Sequence, residues 1–193
     1  MRVMKRLFFF PVCVICILSC ASVSKKNTLY VDLTDSSKFV LLPPGGIEQD
    51  MDMAQFLSAE FLGQNYFFNA WVKANEDAIE MTLFNELGAS IGELSYRNGA
   101  VSFSSTIFPS SVIKSFKPEY VIADFQLCFY DPFLLDKSLK DIGLVLEIKD
   151  GRRRILNGNE VIIEIKKTEN TVELVNHLRK YAYTLEGDFR EIR

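Results

Sequence analysis

The sequence predicts an α+β domain: a mostly antiparallel, curved sheet or incomplete β-barrel, with two short helices as lid or plug. Three observations carry this expectation. Short β-rich or alternating segments recur through residues 55–106 and 143–186, separated by tight-turn signals. Between them, residues 118–139 change to helical spacing. A meander of about ten strands needs closure or curvature to bury one face, and two apolar helices need a surface to cover.

The chain opens with Arg2, Lys5 and Arg6, then an apolar run from Leu7 to Leu18. As a helix that run is about 18 Å long, short of the ~30 Å hydrocarbon core, so a stable membrane span is not expected. A basic start before such a run is the pattern of an export signal. Ile17-Leu18-Ser19-Cys20 places an aliphatic residue three before a cysteine and a small residue just before it. A plain secretory signal cut near Ser19 or Ala21 is one reading of this region; cleavage before Cys20 is the other. The polar stretch ASVSKKNT at 21–28 has no periodicity and reads as a tether. The expected division is 1–19 signal peptide, 20–36 Cys20 and tether, and 37–193 one domain.

Loss of residues 1–19 removes three basic residues and no acids, moving the formal charge from −3 to −6. No basic footprint for nucleic acid is present. Of four cysteines, Cys20 and Cys128 would remain, so no disulfide framework is expected.

The elements follow in order. Lys38–Leu42 is a short strand running into the Pro43-Pro44-Gly45-Gly46 loop; residues 48–54 receive no assignment. Gln55–Leu62, Tyr66–Lys73, Ile79–Phe84, Ser90–Tyr96 and Ala100–Ser105 are strands. In the second, Tyr66, Phe68, Ala70 and Val72 share a face, with Asn69, Trp71 and Lys73 on the other. Asn98-Gly99 is the strongest hairpin signal, because both turn positions favour φ > 0. Pro118–Tyr130 is a helix with Val121, Phe125, Cys128 and Phe129 at helical spacing. Asp131-Pro132 reads as an N-cap with Pro at the first helical position, opening a second helix to about Leu139. Gly143–Lys149, Arg152–Leu156, Val161–Lys167, Thr171–Asn176 and Lys180–Glu186 complete the sheet, with Asp150-Gly151 and Asn157-Gly158 as turns.

No catalytic or metal-binding pattern emerges, and no cofactor is expected. His177 is the single histidine and stands without a nucleophile motif. Cys128 falls on the apolar helix face, where a buried, inert thiol is expected. Asp124 and Asp131 are seven apart, but Asp131 serves better as a cap than as half of an acid/base pair. Arg152-Arg153-Arg154 is either a solvated run or a rim for an anionic headgroup. The candidate ligand cavity is formed by Phe68, Trp71, Phe84, Phe103, Phe125, Phe129 and Phe133; a plain packed core is the other reading. Asp124 and Gln126 are candidates to bond the helix to the sheet.

The residues Ile17–Cys20 resemble the lipobox of bacterial lipoproteins. That resemblance implies acylation of Cys20, a membrane anchor through its lipid, and, with Ala21 next, a place at the periplasmic face of the outer membrane. The element order resembles the LolA/LolB carrier fold, an open half-barrel with a helical lid over an apolar cavity. More narrowly, GELSYRNGAVSF, Ile122–Leu127, the turn Tyr130-Asp131-Pro132, Arg152–Leu156 and VIIEI resemble DUF3261 lipoproteins. This implies an envelope role: binding or accepting acyl chains or lipoproteins. The alternative is a non-enzymatic assembly lipoprotein that docks onto an envelope protein.

Overall fold

The computed structural model describes residues 28–61, 64–107 and 117–189, with no side-chain description at 61 and 64. The signal segment and Cys20 lie outside the described residues, as do Leu62 and Gly63; a turn expected at Gly63-Gln64-Asn65 is corrected in that Gln64 and Asn65 already belong to a strand.

Ten strands form one open antiparallel sheet. The first half is a meander of β3 (Met51–Phe61), β4 (Gln64–Ala74), β5 (Ala78–Phe84), β6 (Ser90–Arg97) and β7 (Ala100–Ser105). The second is β8 (Val145–Lys149), β9 (Arg152–Asn157), β10 (Glu160–Lys167), β11 (Thr171–Asn176) and β12 (Tyr181–Glu186). The halves join where β12 pairs with β3, Tyr181 opposite Phe61 and Glu186 opposite Phe56. The order is therefore β7-β6-β5-β4-β3-β12-β11-β10-β9-β8, with β7 and β8 at the two edges.

Between β7 and β8 run α1 (Pro118–Phe129) and α2 (Pro132–Lys140). Helix α1 starts with Pro118 at a first-turn position and Glu119 in the first turn. It stops because Asp131-Pro132 disfavours helical backbone at the preceding residue. All eight residues from Ile122 to Phe129 are buried. A helix covered on every side is a plug, not a one-faced lid.

The plug also fixes the sheet's shape. Helix α1 contacts β7 at one edge, while Arg153 of β9 bonds the Leu127 carbonyl. Those strands would lie nearly 40 Å apart in a flat sheet at ~4.8 Å per strand, and a helix is only about 10–12 Å across. The sheet must curl around α1 for both contacts to exist.

A separate two-stranded ribbon, β1 (Tyr30–Asp32) and β2 (Lys38–Val40), closes the open side. This corrects the expected tether boundary, because residues 30–32 lie inside the fold. Val31 and Phe39 point into the core, 1% and 0% exposed; alternation puts them on one face of the ribbon. Within the unassigned 48–54 stretch, residues 51–54 open β3, whose Met51 is 2% exposed.

Local turn chemistry sets much of the register. Asn98 and Gly99 have φ of 53° and 74°, and Asp150 and Gly151 have 53° and 72°, as two-residue hairpins require. The turn after β9 falls one residue later than expected, since β9 extends through Asn157. The β9–β10 register shifts between Val161 and Ile163, and Ile162 and Ile163 are both buried. Simple alternation therefore fails there.

Helix α2 is capped by Asp131, whose carboxylate accepts from the N–H groups of Phe133 (2.9 Å) and Leu134 (3.1 Å). Leu135 and Leu139, four apart, face inward, while Phe133 is 76% exposed.

Candidate functional site

The interior around α1 contains polar groups that an apolar core would not need. Gln126 is fully buried. Its amide N–H donates to the Leu42 carbonyl (2.7 Å), and its carbonyl accepts from the Leu42 N–H (3.0 Å). The side chain thus pairs with Leu42 as a neighbouring strand would, and ties the plug to the segment after β2. Tyr130, also fully buried, donates to the Pro43 carbonyl (3.0 Å). Gly46 lies flat against its ring: a Cβ there would stand 2.5 Å from Cδ2 of Tyr130. This close approach is why the last residue of the Pro44–Gly46 3-10 turn is a glycine.

The C-terminal end of α1 meets a half-buried ion cluster. The Arg153 guanidinium donates to the carbonyls of Tyr130 (2.8 Å) and Leu127 (3.3 Å), satisfying groups left unpaired at a helix end. It also pairs with Glu48, which accepts from Lys167 at 3.3 Å. Arg153 therefore faces inward, while Arg152 and Arg154 share Glu164 on the opposite face. Sequence reading passed over Glu48 and Lys167. Strand alternation through Ile163 and Ile165 could have placed Lys167 inward; nothing local marks Glu48.

On the other side of α1, the Tyr181 hydroxyl donates to Asp124 (2.7 Å), and Asn176 donates to Tyr181 (3.3 Å). Burial pushes the Asp124 carboxyl up to about 7, against the opposing pulls of the Tyr181 hydrogen bond and Arg179. Arg179 donates to the Tyr120 hydroxyl (3.1 Å) and to the Asp32 carbonyl. The Cys128 thiol, 3.7 Å from the Tyr183 hydroxyl, is pushed up to about 12 by burial and is a poor nucleophile.

The seven aromatics expected around one cavity do not converge. Phe125 and Phe129 are in the packed core, 4.9 Å apart, and Phe129 stacks on Phe189 at 5.8 Å. Trp71 and Phe84 stand on the outer face of the sheet. Phe84 pairs with Asn69, and alternation puts Asn69 and Trp71 opposite the buried Ala70 and Val72. Phe133 is on the solvent side of α2. Only Phe68 and Phe103 face the interior while staying half-buried. They belong to a staggered strip on the inner face: Leu57 of β3 is opposite Phe68 of β4, and Leu83 of β5 is opposite Gly92 of β6. Phe68 is diagonal to Leu83, whose direct partner is Ala70, and Phe103 of β7 is diagonal to Gly92, its direct partner being Leu94. Gly92 is the low point: a Cβ there would meet Phe103 at 3.5 Å and Leu83 at 3.6 Å.

His177 is exposed, and its backbone N–H bonds the Ile162 carbonyl. Among the described residues no group of three or more His, Cys, Asp or Glu could hold a metal. Among them, too, no helix is long and apolar enough to cross a membrane.

No curated protein matches the chain. The sequence does match the family described as "Protein of unknown function (DUF3261)" over residues 52–187, from the start of β3 to just beyond β12. That span takes in most of the chain and the whole ten-stranded sheet bar Met51, so the protein belongs to the DUF3261 family.

Proposed function

We propose that this protein is an envelope lipoprotein, anchored through acylated Cys20 at the periplasmic face of the outer membrane. There it binds or accepts acyl chains or lipoproteins in the manner of LolA/LolB-like carriers. The observation that carries this reading is the half-buried strip Leu57, Phe68, Leu83 and Phe103 on the inner face of the curled sheet. Four strand-to-strand steps make it about 19 Å long, on the scale of an extended acyl chain. Four to six methylenes laid along it would gain about 3–5 kcal/mol, which suits transient holding and hand-over. The basic, apolar and Ser-Cys pattern of residues 2–20 supports the anchor, at which two or more acyl chains make a stable attachment.

Two measurements test the reading. Cys20→Ser should move the protein from the membrane fraction to the soluble one. A fluorescent fatty acid should bind the purified protein, and Phe68→Gln and Leu83→Gln should weaken that binding severalfold without changing the circular dichroism. Membrane release without any fatty-acid binding would leave the anchor and remove the carrier role.

A second reading, an assembly lipoprotein that docks onto an envelope protein, has its own support. Strand β8 is an edge of the sheet with Val145 and Ile148 about half exposed, a surface suited to strand addition. In that case crosslinking through β8 should retrieve a discrete partner, and a proline at Leu146 should abolish the crosslink.

A further inference from the structure

The outer face of β3–β5 carries a feature that acyl-chain binding does not use. Asn69 sits at its centre. Phe56 is directly opposite on β3, and Phe84 is directly opposite on β5. Trp71 and Phe67 flank Asn69 along β4, two residues to either side, on the same face. Four aromatic side chains thus surround one small amide. Phe56, Phe67 and Trp71 are 37%, 60% and 47% exposed, a concentration of aromatic surface that a monomer's outer face does not need. Phe56 and Phe67 stack at 6.1 Å. Phe56, Trp71 and Phe84 wall an open groove of about 580 Å³ above Asn69, with Ala54 and Glu86 also lining it.

The charge lining the groove is negative, and a cation on this face, Lys73, stands beyond Trp71 and opposite Asp52. Glu86 lines the groove from the β5–β6 turn, which Asn85 holds by accepting from the N–H groups of Leu87 and Ala89. The Trp71 indole N–H donates to Asp52 at 2.7 Å, which pins the ring and sets a second carboxylate beside it. None of the lining residues is Lys, Arg or His.

Aromatic faces are negative at their centres and attract cations. An anion would meet like charge here. A purely apolar occupant would strip water from Glu86 and Asn69 without replacing it. A quaternary ammonium satisfies both demands: it is positive, it has no N–H that needs an acceptor, and its methyl groups pack on rings. We propose that this groove binds a quaternary ammonium group, either of a free choline-type compound or of a phosphocholine headgroup. The site lies on the opposite face from the acyl-binding strip and does not depend on it.

The chain contains one tryptophan, so its fluorescence reports on this groove. The full chain is titrated with choline chloride and with its neutral isostere, 3,3-dimethyl-1-butanol. The expected result is a saturable change with choline and binding about tenfold weaker for the isostere. Phe84→Leu and Glu86→Gln should each weaken choline binding severalfold. Phe133→Leu, on the exposed side of α2, should leave it unchanged, and far-UV circular dichroism should be the same for all three. Phosphatidylcholine vesicles that shift the fluorescence, reversed by choline, assign the headgroup; a response to choline alone assigns a soluble ligand. Equal binding of choline and the isostere, or no saturable change in folded protein, overturns the proposal.

Discussion

Asp124→Asn probes the buried junction between α1 and β12 through the dependence of stability on pH. The Asp124 carboxyl is raised from its ordinary 3.8 to about 7, chiefly by burial. The folded state therefore holds a proton that the unfolded state releases over that interval. The sign follows: this contribution to stability is fully present below the unfolded value and is lost as pH rises through the folded one. Its full size is about 4 kcal/mol, of which about 3 kcal/mol falls between pH 5 and pH 8. The neighbours do not confuse the window. Burial pushes Tyr181, Tyr183 and Cys128 upward, so they stay neutral. Glu164, held below its ordinary value first by its hydrogen bond to Arg154, loses its contribution only as pH falls, on the acid side. Asn carries no titrating proton and still accepts from the Tyr181 hydroxyl. Urea unfolding followed by circular dichroism should show the wild-type midpoint falling by about 1–2 M from pH 5 to pH 8. The variant's midpoint should stay flat by comparison. Parallel profiles for the two proteins would refute the assignment of the slope to Asp124.

Other substitutions test the rest of the interior. Gln126→Ala strands the N–H and C=O of half-buried Leu42 and should cost about 1–3 kcal/mol in chemical unfolding. Gly46→Ala drives a methyl group into the Tyr130 ring and should lower stability by about 1–3 kcal/mol, read in the same way. Arg153→Met removes one of two cationic partners of Glu48 and the donor to two helix-end carbonyls, with an expected loss of about 2–4 kcal/mol. Glu48 keeps Lys167 as its counter-ion in that variant, so replacing Glu48 by Gln in the Arg153→Met background should deepen the loss by leaving the Lys167 charge uncompensated.

Features set by adjacent residues were legible in the sequence. Asn98-Gly99 and Asp150-Gly151 demand positive φ, and Asp131-Pro132 caps and starts a helix, wherever the chain goes next. Features set by distant pairing were not. No local signal tells that β12 lies beside β3, yet that pairing joins two meanders into one sheet. The spacing of Val121, Phe125, Cys128 and Phe129 suggests one buried face on α1. Asp124 and Gln126 are buried too, because the sheet curls around the helix and the β1–β2 ribbon covers the remaining side. The ribbon itself has three-residue strands, too short for periodicity to register. The proposed cavity mixed residues from both faces of β4: Phe68 points in and Trp71 points out, as their odd separation along a strand requires. Aromatic composition alone could not separate the inner strip from the outer cage.

The central claim is that the inner face holds an acyl chain. Native mass spectrometry of the purified mature protein, before and after denaturation, tests it most directly. The account predicts a stoichiometric acyl-chain ligand on the folded protein that is released on unfolding, and one that is lost from Phe68→Gln. A clean apo mass, with no uptake of added fatty acid or lipopeptide, would contradict it.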